Sequence, residues 1–153
     1  MSVRTVSVRE GRRLARSVAV GPHVLLADEP EPISADTGPT PGELLLAALG
    51  SCTSMAVRAY AGRHGWQLHQ VDVDLDFDPR GQIVKNVRLV GDLEPAHIER
   101  LLTVAGRCPV QRLLTGDVSV VTVPTVVTPY RRPPGGTPQS ERGTPRCGKH
   151  PNG

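Results

Sequence analysis

No helix can carry Leu44-Leu45-Leu46-Ala47-Ala48-Leu49 on a water-facing surface, because its side chains are apolar in every direction around the axis. Such a segment must be covered on all sides. The residues before it mark its start: Thr40 supplies an N-cap hydroxyl, Pro41 fits the first helical position, and Glu43 places a carboxylate where the helix dipole favours one. Small residues Gly50 and Ser51 follow, and the helix is expected to run to about Arg63. The fold must therefore be built around a long, enclosed central helix.

The flanking sequence supplies strands to cover it. Residues 3–9 and about 13–20 alternate around Glu10-Gly11 and read as a hairpin, with a third strand over His23–Ala27. The prolines and glycine between Asp28 and Pro41 exclude regular structure there and leave a long loop. After Gly65, Leu68–Phe77 alternates with Val71, Val73, Leu75 and Phe77 on one face and Asp72, Asp74 and Asp76 on the other. The aspartate ladder, continued by Asp78, reads as the solvated face of a half-buried antiparallel strand rather than a metal site. Pro79-Arg80-Gly81 turns the chain into a partner strand, Gln82–Val90. Pro95 opens a helix with Ile98, Leu101, Leu102 and Ala105 on its apolar stripe, Cys108-Pro109 opens a short one through Leu114, and Val118–Val123 is expected to be a last strand. The class is α+β: N-terminal antiparallel strands, a long buried helix, then a second sheet with helices.

At 153 residues this is one domain, placed at 1–127, with an appendage. Residues 128–153 are rich in Pro and Gly and hold Arg131, Arg132, Arg142, Arg146 and Lys149 against Glu141, so the net +3 of the chain belongs to them. They read as a disordered basic tail. Nucleic acid is set aside as a partner, because Tyr130 is the only aromatic near those charges. No apolar run is expected to reach membrane-spanning length and no signal peptide opens the chain, so the expected location is the cytoplasm, without a membrane partner. Cys52, Cys108 and Cys147 form neither a disulfide framework nor a zinc spacing, and no cofactor or metal is expected. In a reducing compartment a disulfide is more often catalytic than structural.

Read residue by residue, Cys52 among Ala, Gly, Ser and Thr is either a compact core residue or a reactive thiol. Cys108, at an N-cap position beside Arg107, either ends a loop or gains thiolate character from the helix dipole. Cys147, in the tail, has no fixed partners to tune it.

Two stretches carry a resemblance that goes further. Ala27-Asp28-Glu29-Pro30, then Thr37 through Met55 with Gly50-Ser51-Cys52-Thr53-Ser54, then Arg58-Ala59-Tyr60-Ala61 and Gly65-Trp66, is similar to the central-helix signature of the OsmC/Ohr superfamily. Ala105-Gly106-Arg107-Cys108-Pro109-Val110 resembles the segment bearing that superfamily's second cysteine. The likeness spans roughly residues 3–123 in order. It implies an intertwined homodimer with long helices packed centrally, and an enzyme that reduces organic hydroperoxides. By the same resemblance Cys52 would attack the peroxide and become a sulfenic acid, Cys108 would condense with it to a disulfide, and a dithiol such as a lipoyl group would regenerate the pair. A stress or small-ligand-binding protein whose cysteines stay reduced is the alternative on the same fold.

The chain departs from the pattern at the catalytic glutamate. Gly42 holds the position ten residues before the first cysteine, and Glu43 stands nine before. Nine residues at about 100° each put Glu43 on the opposite helix face from Cys52, about 13 Å along the axis, so a role for it requires a second subunit. The peroxide-orienting arginine implied in the first hairpin turn is assigned to Arg12 rather than Arg13.

Overall fold

The computed structural model describes residues 4–116 and 120–122. Its elements are β1 (Val6–Glu10), β2 (Arg16–Val20), β3 (His23–Ala27), α1 (Pro41–Arg63), β4 (Gln67–Phe77), β5 (Ile83–Asp92), α2 (Pro95–Ala105) and α3 (Pro109–Leu114). Strands β1 to β3 form an antiparallel sheet in chain order, and β4 and β5 form a second antiparallel sheet. The α+β architecture expected from the sequence is the one observed. Of the strand expected at Val118–Val123 only residues 120–122 are described, and they carry no strand. The tail, Cys147 and the rest of that segment lie outside the described residues.

Thr40 caps α1 through a reciprocal pair: its hydroxyl accepts the Glu43 N–H, and its own N–H donates to the Glu43 carboxylate. The helix then buries Leu49, Gly50, Thr53, Val57 and Ala61, spaced by about one turn, against β4, α2 and α3. Val57, Ala61, Leu68, Leu101 and Ala105 form the core, with Tyr60, Trp66, Val71, Val87 and Leu89 around it. A Cβ at Gly50 would lie 2.7 Å from Leu75 Cδ1, so a hydrogen there lets β4 cross close to the helix.

Enclosure holds for only one face of α1. Leu45 is 39% exposed and Met55 70%, because the elements that pack on α1, namely β4, α2 and α3, cover its other side. The expectation that no segment reaches membrane-spanning length also needs correcting. With 23 residues and a mean hydropathy of 1.4 over its best window, α1 meets that measure by length and composition. Its apolar run is extended by small and hydroxyl residues that a count of purely apolar positions leaves out. One such helix is weak evidence for a membrane span, and α1 packs one face on β4, α2 and α3.

Strand β4 inserts an extra residue between Leu68 and Gln70. That bulge moves the inward face from Leu68 to the odd-numbered Val71, Val73 and Leu75. On β5 the inward positions are Ile83, Lys85, Val87 and Leu89. The aspartate ladder faces outward at Asp74 and Asp76, while Asp72 pairs with Arg88 and Asp78 accepts the N–H groups of Arg80 and Gln82 in the turn.

The loop between β3 and α1 is tied together by Asp28, which is 2% exposed. Its carboxylate accepts the Glu29 N–H at 2.9 Å and both the N–H and hydroxyl of Thr37 at 3.1 and 2.8 Å. The Ser34 hydroxyl contributes most to holding this acid well below the usual carboxylate range; the Thr37 and Glu29 donors add to it, against burial. A folded-state pKa below the unfolded one stabilises the fold above the unfolded value, about 3.9, and that contribution disappears as pH falls toward the folded value. Asp28→Asn should therefore lower the melting temperature at neutral pH, with the gap to the unsubstituted protein closing below about pH 4. Melting curves at a series of pH values check this, and a gap independent of pH would contradict it.

Candidate active site

The two cysteines meet where α1 passes the start of α3. Cys52 Sγ accepts the N–H of Val110 at 3.5 Å, in the first turn of α3. Cys108, at the N-cap of α3, lies 3.4 Å from the hydroxyl of Thr53, the neighbour of Cys52. Both thiols are free. Cys108 is 1% exposed and Thr53 is fully buried, whereas Cys52 is only partly covered.

Their environments push them apart. Burial raises the Cys52 thiol most, its neighbour Cys108 raises it further, and the Val110 N–H and Lys85 only partly offset this. Burial also opposes ionisation of Cys108. There the Thr53 hydroxyl, the Gln111 amide, Cys52 and Lys85 together outweigh it, so the Cys108 thiol falls below its ordinary value.

Lys85 is the residue that sequence reasoning missed. It reaches in from β5, where its Nζ donates to Gln111 Oε1 at 2.6 Å, the Ala105 carbonyl at 2.7 Å and the Thr53 hydroxyl at 3.2 Å. Burial lowers its pKa, and the two cysteines pull it back up. Its signal was a charged side chain in phase with Ile83, Val87 and Leu89 on the inward face of a strand.

The other two expected site residues lie apart from the cysteines within this chain. Glu43 is exposed and committed to the capping pair with Thr40, whose N–H is the main cause of a lowered Glu43 pKa. Arg12 is exposed in the turn between β1 and β2, on a sheet that makes no extended packing with α1. Its neighbour Arg13, with φ at 52°, is pinned instead to the loop: its guanidinium donates to the carbonyls of Pro32, Ile33 and Ser34, each at 3.1 Å. A candidate site on one chain is therefore Cys52, Cys108, Thr53, Lys85 and Gln111.

Solved structures share this architecture. An OsmC-like protein from Mycoplasma pneumoniae superposes with a TM-score of 0.63 at 14% identity, over 75% of this chain and 89% of that one. An OsmC-like protein of unknown function from Vibrio cholerae O1 gives 0.58 at 18% identity, over 75% and 95%. An organic hydroperoxide resistance protein from Legionella pneumophila gives 0.50 at 22% identity, over 76% and 93%. At these identities the likeness is one of fold. No curated protein matches by sequence. The family described as OsmC-like protein matches residues 34–123, which include both cysteines, Thr53, Lys85 and α1 to α3. This chain belongs to that family.

Proposed function

We propose that this protein is a thiol peroxidase that reduces organic hydroperoxides in the cytoplasm through Cys52 and Cys108, and that a dithiol such as a lipoyl group restores it. The observation that carries the reading is the convergence of the two cysteines, distant in sequence, at the start of α3 beside a half-buried cation. The cycle begins as the Cys52 thiolate attacks the peroxide oxygen: an S–O bond forms, the O–O bond breaks, and an alcohol leaves after taking a proton. Cys108 then attacks the sulfenic sulfur, expelling water and closing the disulfide. The dithiol returns two electrons and is itself closed to a cyclic disulfide.

The same reading calls for a homodimer. Lys85 only partly offsets the burial of Cys52 in a single chain, and a second copy would bring a first hairpin, with its Arg12, and Glu43 from an opposed α1. Two apolar surfaces support this: α1 leaves Leu45 and Met55 open, and the first sheet leaves Val6, Val8, Val24, Leu25 and Leu26 about half exposed or more. Surfaces of this kind are normally covered by a partner. Sedimentation should give a dimer at micromolar protein, and a folded monomer there would contradict it.

The function is tested by hydroperoxide consumption with dihydrolipoamide as reductant, where repeated turnover is expected. Binding without turnover is the second reading, favoured by the raised Cys52 thiol and the capped Glu43. No consumption, together with retention of an apolar ligand, would establish that one instead.

A further inference from the structure

Lys85 is a charged group at a position that otherwise calls for an aliphatic one, and a cation there must be compensated by specific partners. All three of its partners are oxygen acceptors, from α1, the last residue of α2, and α3. An ammonium group has three N–H donors and no acceptor, so the three bonds use it completely. The consequence falls on Thr53. Its oxygen accepts an N–H hydrogen bond from Lys85, so its own hydroxyl proton is free to point at Cys108 Sγ, 3.4 Å away. With Cys108 ionised, its sulfur can only accept, and the donors then run one way, from Lys85 to Thr53 to Cys108. Among the described residues, Cys52 accepts only the Val110 N–H.

The titratable groups facing Cys108 are Cys52 from α1 and Lys85 from β5. Cys108 also lines, with Arg100 and Arg107, a cavity of about 220 Å³ whose described lining contains no carboxylate.

We propose that Lys85, acting through Thr53, holds Cys108 as the thiolate of the pair and makes it the leaving sulfur when an external dithiol reopens the Cys52–Cys108 disulfide. The second half of this statement rests on the peroxidase reading; the relay itself does not. In the reductive step one thiolate of the dithiol attacks Cys52 Sγ, a new S–S bond forms there, and the old one breaks with its electron pair leaving on Cys108. The second thiol of the reductant then attacks its partner sulfur, frees Cys52 as a thiolate and closes the cyclic disulfide. The thiol with the lower pKa leaves faster, and access selects which sulfur is attacked. Both point to Cys52 for attack, since Cys108 is almost wholly enclosed. Lys85 and Thr53 are thus positioning residues.

The first test is the ultraviolet thiolate absorbance of full-length protein carrying Cys52→Ser and Cys147→Ser, followed against pH. Cys108 should ionise with a midpoint below the ordinary value of about 8.5. Thr53→Val, which keeps the shape and removes the hydroxyl, should raise that midpoint by about one unit or more, as should Lys85→Met. Thr53→Ser and Lys85→Arg should restore it. A midpoint that stays put in a folded Thr53→Val protein overturns the relay, whatever the fate of the Lys85 variants.

The second test uses Cys147→Ser protein oxidised with diamide, so that peroxide chemistry is not involved. After brief reaction with the monothiol N-acetylcysteine, peptide mass spectrometry should find the mixed disulfide on Cys52 over Cys108 by about tenfold, falling toward parity in Thr53→Val. An adduct mainly on Cys108, or no disulfide with diamide, overturns the leaving-group assignment. If peroxide is not consumed while the Cys108 midpoint is low, the peroxidase reading fails and the relay stands. A Cys108 midpoint at its ordinary value with active turnover overturns the relay and leaves the peroxidase reading standing.

Discussion

Cys52→Ser should abolish hydroperoxide consumption, bringing it to the rate of buffer, while Cys108→Ser should complete a first turnover and then stop. The difference follows from what each sulfur can do. Without Cys52 the remaining thiolate sits at a residue 1% exposed, where an organic hydroperoxide has little access. Without Cys108 the sulfenic acid on Cys52 forms but has no partner, so excess peroxide carries it to sulfinic acid. Electrostatics within one chain favours Cys108 as the thiolate, so attack by Cys52 depends on access and on charge from a second copy. Mass spectrometry of each variant after one equivalent of peroxide separates the roles. Sulfenic acid on Cys108 in the Cys52→Ser protein, with none on Cys52 in the Cys108→Ser protein, would reverse the assignment.

The largest stability effect should come from Leu101→Ala. Leu101 has no exposed surface and packs with Val57, Ala61, Leu68 and Ala105, where α1, α2 and the start of β4 meet. Truncating a leucine in such a place costs about 2–5 kcal/mol, because the lost burial is compounded by a cavity the surroundings cannot fill. The upper half of that range is expected, and for a domain of this size it lowers the melting temperature by roughly 10 °C or more. Leu102, next in sequence and 47% exposed, should cost much less. Equal losses at the two positions would mean that α2 is packed differently.

The elements were legible because their signals are local. Thr40-Pro41 and the run to Leu49 mark α1, and the alternation after Gly65 marks β4. What escaped depends on partners far along the chain. The phase of Lys85 on β5 was visible, but its value to the cysteines comes from Thr53, Ala105 and Gln111, which only the packed fold brings together. Glu43 by itself reads as a charge at a helix start, although the spacing Thr40-Pro41-Gly42-Glu43 also fits a reciprocal cap. Two hairpin arginines cannot be told apart by composition; a positive φ turns Arg13 onto the Pro32–Ser34 carbonyls and leaves Arg12 exposed. The pairing of Cys52 with Cys108 came from the resemblance, since neither residue names the other.

The most direct measurement is a non-reducing peptide map of reduced Cys147→Ser protein after one equivalent of cumene hydroperoxide. A Cys52–Cys108 cycle predicts the loss of two thiols per chain and one linked peptide pair joining Cys52 to Cys108 within the same chain. Both thiols intact, or a disulfide that joins two chains instead, would contradict it.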